Sequence, residues 1–174
     1  RISSNKQIGL LGINIGPNKD TNDRLKDYVE CLKTFHEFAD YITINISSPN
    51  TEELRNFHDQ EKLNSLLNII NSEKTKLNSK IPIVVKVSPD IKDQEIPKIS
   101  DVLLSNNIKA VILSNTSDST RDNLSDIQKH QKGGLSGKPI EEKSTILINK
   151  FYKTLDNKIK IIGVGGVDSG LSAY

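Results

Sequence analysis

The sequence predicts an α/β fold of parallel strands covered by helices. Three observations carry this reading. Apolar runs of about five residues recur along the chain, amphipathic stretches of helical length separate them, and several runs are continuously apolar and rich in Ile and Val. Strands buried on both faces of a parallel sheet read in that way.

The elements follow in order. The first apolar run is 10–13, and the stretch 21–38 after it sets Leu25, Tyr28, Val29, Leu32 and Phe35 at helical spacing. The second run, 41–44, leads to a helix over 60–77 with Leu63, Leu66, Leu67, Ile70 and Leu77 as its apolar positions. The third, 81–85, precedes a helix over 94–105, and the fourth, 110–113, precedes a polar loop and a helix over 141–155. The fifth, 159–164, leads to a helix beginning near Ser169. No internal repeat, linker or low-complexity boundary interrupts the pattern, so residues 1–174 read as one domain. The order suits either a doubly wound sheet or a (β/α)8 barrel, with right-handed crossovers in both. Five strands are too few for a closed barrel, so a barrel reading implies that strands are missing on both sides. The chain starts at Arg1, contains no methionine and stops at Tyr174 inside a predicted helix. It is expected to be a piece of a longer product, cut at both ends.

Composition narrows the function classes. The chain is 26% charged and 34% hydrophobic with a net charge of +2, as ordinary globular proteins are. Its lysines are scattered among acids and its aromatics reach only 5%, which argues against nucleic acid as a partner. No apolar run approaches the roughly 18–20 residues that cross a bilayer. The single cysteine, Cys31, permits no internal disulfide and fits a reducing compartment, where it reads as a small core residue. His36, His58 and His130 show no metal-ligand spacing and read as surface or helix-packing residues, so no metal site is expected.

In a barrel the chemistry sits at the carboxyl ends of the strands. The runs end, in order, at Asn14, at Asn45, at Lys86, at Ser114-Asn115-Thr116, and at Gly163, Gly165 and Gly166. Amides, hydroxyls, one cation and a glycine pair would then converge on one side. The plainer reading is that Asn and Gly stop strands and start turns. Lys86 ends an otherwise apolar strand, so it either needs an anionic partner or extends out over the rim. Gly163, Gly165 and Gly166 form a turn whose N–H groups could approach a phosphate.

Six segments carry a further signal. They are Gly12-Ile13-Asn14-Ile15-Gly16-Pro17-Asn18-Lys19-Asp20, Asn45-Ile46-Ser47-Ser48-Pro49-Asn50-Thr51, Val84-Val85-Lys86-Val87-Ser88-Pro89-Asp90, Leu113-Ser114-Asn115-Thr116, Gly133-Gly134-Leu135-Ser136-Gly137-Lys138-Pro139 and Ile162-Gly163-Val164-Gly165-Gly166-Val167. In this order and spacing they resemble those of the class 2 dihydroorotate dehydrogenases, from Gly9 to Tyr174. The resemblance implies a partial (β/α)8 TIM barrel, with about strands 3 to 7 present. It implies oxidation of dihydroorotate to orotate in pyrimidine biosynthesis. A base takes a proton from C5, a hydride passes from C6 to FMN, and a quinone reoxidises the flavin. Class 2 members resemble one another in docking peripherally on a membrane through a helical segment not seen in this sequence. That implies the cytoplasmic face of a bacterial inner membrane, or the mitochondrial inner membrane.

The resemblance also implies roles. Ser48 matches the catalytic base; class 1 relatives place Cys there. The other reading of Ser48, favoured for Ser47, is a hydroxyl that caps the turn before Pro49. Asn45, Asn50, Thr51, Asn115 and Thr116 match positions that hold the substrate. Asn14, Asn45, Lys86, Ser114, Gly134, Gly137, Gly163, Gly165 and Gly166 match the FMN side, with Lys86 offsetting charge that arrives on the flavin. Glu52-Glu53 departs from the Pro-Gly usual before the Leu54-Arg55 pair, which puts the closure of that loop in question. The polar stretch 117–132 reads as an excursion over the mouth of the site. Two other readings stand beside this one. Another FMN barrel enzyme, of the dihydropyrimidine or dihydrouridine reductase kind, is expected to carry Cys at position 48. An inactive remnant would bind no flavin.

Overall fold

A computed structural model describes residues 9–49, 54–119, 121 and 124–174. Five strands form one sheet: β1 (Gly12–Ile15), β2 (Tyr41–Asn45), β3 (Ile83–Val87), β4 (Ala110–Leu113) and β5 (Lys160–Gly163). Five α-helices alternate with them: α1 (Arg24–Phe35), α2 (Gln60–Lys76), α3 (Glu95–Ser105), α4 (Glu141–Leu155) and α5 (Gly170–Ala173).

Every strand pairs in parallel with its neighbours in sequence, in the order β1-β2-β3-β4-β5. The first four helices pack in the same succession, α1 on α2, α2 on α3 and α3 on α4. A doubly wound sheet reverses its strand order part-way and carries helices on both faces. This sheet does neither, and it follows the course of a barrel wall.

The register divides each strand into two faces. Ile42, Ile44, Ile83, Val85, Val87, Val111 and Leu113 belong to the core under the helices, with Leu32, Leu66, Ile70 and Phe151 packed against them. Each such side chain contributes about 1.5–3 kcal/mol when fully buried. The other face carries Asn14, Thr43, Asn45, Lys86, Ile112 and Ile162, where Asn45 lies beside Lys86, Lys86 beside Ile112 and Ile112 beside Ile162.

Local chemistry sets the helix ends. Asp23 accepts a hydrogen bond from the Lys26 N–H at 3.0 Å and starts α1 three residues later than the apolar spacing suggests. Asp59 accepts from the Glu61 and Lys62 N–H groups at 3.1 Å and starts α2. Such caps are worth about 1 kcal/mol each. α4 closes on Asp156 in the left-handed conformation, with φ 48°. Three short 3-10 turns, Leu54–His58, Ile127–His130 and Lys138–Ile140, have no counterpart in the apolar pattern.

The first three strands run further than expected, β2 by one residue to Asn45. β1 reaches Ile15 and β3 reaches Val87, so Asn14 and Lys86 lie within strands instead of just past them. The polar side chain breaks the apolar run but not the hydrogen-bonded ladder, because it points to the face away from the helices. β1 and β5 are the sheet edges among the described residues, and Leu10, Ile162, Val164, Val167 and Leu171 are exposed beside them.

Candidate active site at the carboxyl edge of the sheet

The end of β2 is fixed from below and from the side. The buried Tyr28 hydroxyl of α1 donates to the Asn45 carbonyl at 2.6 Å, and burial pushes its pKa up, keeping it protonated as a donor. The Asn45 side-chain oxygen accepts from the Ser47 N–H at 3.2 Å and from the Ser47 hydroxyl at 2.7 Å. Ser47 in turn accepts from the Asn115 amide at 2.8 Å, and the Asn115 side-chain oxygen accepts from the Thr116 N–H at 2.9 Å. Asn45 and Asn115 are thus joined through a buried serine. Ser47 holds the turn, as expected, and also ties β2 to β4, which its sequence context does not reveal. Ser48 follows it, half-buried, in the same turn. Asn50 and Thr51, like Glu52 and Glu53, lie outside the described residues.

Lys86 neighbours Asn45 across the ladder on the open face. It is half-buried, and burial lowers its pKa, as expected when a cation leaves water. No acid pairs with it among the described residues.

The glycines gather around the carboxyl ends of β4 and β5. Gly134 lies so close to Thr116 that a Cβ would overlap its side chain, and Pro49 is the next neighbour. Gly165 and Gly166 have φ of +128° and +81°, and a Cβ on Gly166 would run into the backbone of Glu141 at the start of α4. Ser114 lies buried between the strands; its N–H donates to the Val164 carbonyl at 2.8 Å. The Ser144 hydroxyl donates to the same carbonyl at 2.9 Å. A cavity of about 640 Å³ opens here, lined by Gly137, Gly163, Gly165, Gly166, Ser144 and Thr145 among others. The amino end of α4 faces it, so the helix dipole favours an anion. Glu141 also lines the cavity, but Lys138 pairs with it at 2.6 Å and offsets its charge.

Asn45, Ser114, Asn115, Thr116, Lys86 and Gly134 therefore come together across β2, β3 and β4, and Gly137, Gly163, Gly165 and Gly166 form a second group at β5. Asn14 lies on the neighbouring strand β1, exposed and beside Thr43 of β2 on the same open face.

A second polar cluster caps the same edge. Asp90, just after β3, accepts from the Ser117 hydroxyl at 2.5 Å, from the Asp118 N–H at 3.0 Å and from the Lys143 ammonium. Arg55 pairs with Asp90 at 3.1 Å and with Asp118 at 2.6 Å. Burial pushes the Asp90 carboxyl up, but the bonds from Lys143, Ser117 and Asp118 outweigh it and hold its pKa well below the usual carboxylate range. Beneath lies His58, buried and pushed down to about 4 by burial and by the Arg55 charge, against the pull of Asp90. Nothing in the sequence marks Arg55, Asp90, Ser117, Asp118 and Lys143 as one cluster. A signal existed for Asp90 alone: Ser88-Pro89-Asp90 after β3 echoes Ser48-Pro49-Asn50 after β2.

Fold and site together define a segment of an α/β-barrel protein with its site at the strand ends. The sequence profile of the dihydroorotate dehydrogenase family matches residues 2–174, and the chain belongs to that family. It is 44% identical over 178 residues to the dihydroorotate dehydrogenase (quinone) of Idiomarina loihiensis, covering 99% of this chain and 53% of that protein. It is 45% identical over 179 residues to that of Wigglesworthia glossinidia brevipalpis, with the same coverage of 99% and 53%. A ligand-free crystal structure of the Eimeria tenella enzyme superposes with a TM-score of 0.91 at 35% identity, covering 97% of this chain and 51% of that one. The chain spans about half the length of the curated relatives it matches. The sheet is accordingly a part of a (β/α)8 barrel.

Proposed function

We propose that this chain supplies the central part of a barrel that oxidises dihydroorotate to orotate, with FMN as cofactor and a quinone as final electron acceptor. The observation that carries the reading is the joined row Asn45–Ser47–Asn115 beside Lys86, which no acid pairs among the described residues, with Ser48 in the adjoining turn. Amides suit a pyrimidine carboxylate, because its ring edge alternates donors and acceptors. The relatives named dihydroorotate dehydrogenase (quinone) support the choice of acceptor.

The residues fit FMN. Gly134 lets its loop pack directly on Thr116, which any side chain would prevent, and the cavity at β5 offers a glycine turn and a helix amino end to a phosphate. Asn14, Asn45, Lys86, Ser114, Gly134, Gly137, Gly163, Gly165 and Gly166 would hold it. FMN, when bound, supplies the two-electron acceptor. Lys86 keeps a positive charge on the open face where negative charge develops. Asn45, Asn50, Thr51, Asn115 and Thr116 hold and orient the substrate. Ser48 takes the proton from C5, which needs a closed, water-poor site because serine is a weak base in water. The setting we infer is peripheral, on the cytoplasmic face of a bacterial inner membrane. No described helix is long and apolar enough to cross a membrane.

Ser48→Ala in the full-length protein tests the reading. FMN should stay bound while its reduction by dihydroorotate slows by about 10²–10⁴-fold, the usual loss with a general base. An unchanged reduction rate would remove Ser48 from the mechanism, and a colourless wild-type protein would remove FMN.

A further inference from the structure

The carboxyl edge carries more organisation than the substrate-facing row needs. Between β4 and α4 the chain makes a long excursion that closes on itself. Ser117 and Leu135 bond to each other through both backbones, N to O at 3.0 and 2.6 Å. Arg121 donates to the carbonyls of Gln131 and Gly133 and staples the inside. The base of this arm abuts Thr116 and Pro49 through Gly134.

One carboxylate holds that base. Both oxygens of Asp90 are doubly engaged, Oδ1 by Ser117 and Lys143 and Oδ2 by Asp118 and Arg55. The partners come from three segments far apart in sequence: the Leu54–His58 turn, the arm, and α4. Lys143 also donates to Ser117 and Ser119, at 3.2 and 3.1 Å. The cluster holds two anions, Asp90 and Asp118, and two cations, Arg55 and Lys143. Asp90 is its centre, and only 13% of its side chain is exposed. Ser48 lies in the stretch between two anchors, Ser47 on Asn115 and Arg55 on Asp90.

We propose that Asp90 is a positioning residue: its carboxylate latches the 117–135 arm and the Leu54–His58 turn to the sheet and so fixes the segment that carries Ser48. It touches neither substrate nor cofactor in this role. Without its charge, Arg55 and Lys143 lose the anion they share, and the arm is left with Asp118 on Arg55 and the Lys143 bonds to Ser117 and Ser119. The step from latch to catalysis rests on the function proposed above; the latch does not.

The test is hydrogen exchange on the full-length protein, followed by kinetics. In Asp90→Asn, amides of 117–135 should exchange roughly tenfold faster or more, the effect of losing a charged hydrogen bond, with β2, β3 and β4 unchanged. Asp90→Glu should restore most of the protection. With dihydroorotate, kcat/KM should fall by about tenfold in Asp90→Asn while bound flavin stays constant, and Glu should recover it. Should Asp90→Asn fail to fold, Ser117→Ala removes one bond to the same oxygen and should give a smaller rise confined to the arm. Unchanged arm exchange in both variants, or a rise spread evenly through the sheet, would overturn the latch. A loosened arm in a protein whose wild type does not oxidise dihydroorotate leaves the latch standing and sinks the functional reading instead.

Discussion

His58 shows how much one side chain can impose at the residue scale. It ends the Leu54–His58 turn, is 6% exposed, and its Nε2 has no hydrogen-bond partner among the described residues. Burial first, and the Arg55 guanidinium second, bring its pKa from 6.5 to about 4. The sign of the effect follows. Above pH 6.5 both folded and unfolded chains carry neutral imidazole and nothing is lost. Between 6.5 and 4 the unfolded chain takes up a proton that the folded chain refuses, so stability falls as pH falls through that window. The full loss is on the order of 3 kcal/mol. Asp90 acts with the same sign in a lower window: its depressed carboxyl contributes fully above the ordinary carboxylate range, and that contribution is lost as pH falls below it. His58→Gln should therefore flatten the drop in denaturation midpoint between pH 7 and 4.5; a parallel drop in both proteins would show that His58 is not its source. None of this was legible in the sequence. A lone histidine in a polar stretch says nothing of burial, and Asp90 gave no sign of its partners because Arg55 and Lys143 lie 35 and 53 positions away.

At the scale of elements, strand and helix order could be read directly, since Ile and Val runs and helical spacing are local properties. The helix over 141–155 and the strand over 110–113 stand where the pattern put them. The bounds slipped where a face changed character. Asn14 and Lys86 sit on the side turned away from the helices, so a polar residue there ended the apolar run without ending the strand. The glycine turn after β5 was also legible, but its reason is tertiary: Gly166 has φ +81° and rests against the first turn of α4. Gly166→Ala should strain the backbone by about 1–3 kcal/mol and push the turn off the helix. Flavin affinity should then fall by roughly tenfold or more in titration, because the phosphate cradle no longer fits. Gly170→Ala is the control, since no atom lies within 4 Å of a Cβ there. Equal affinity in the two variants would separate the turn from the cofactor.

At the scale of the molecule, β1 and β5 present open edges among the described residues, and the face away from the helices leaves Ile162 and Val164 exposed. Unpaired strand edges next to apolar surface invite association. The 174 residues expressed by themselves should accordingly self-associate on a sizing column and carry no flavin. A yellow, cooperatively melting monomer would require the sheet to close in another way. The match between strand order and chain order has its own consequence. Each strand and helix finds its partner in the unit made just before it, so a nascent chain can dock one unit at a time as the ribosome releases it, at roughly 5–20 residues per second. Throughout synthesis such a chain bears one fresh edge that advances with every unit. That travelling edge, besides the standing edge of the first strand, is what a chaperone at the exit tunnel has to shield.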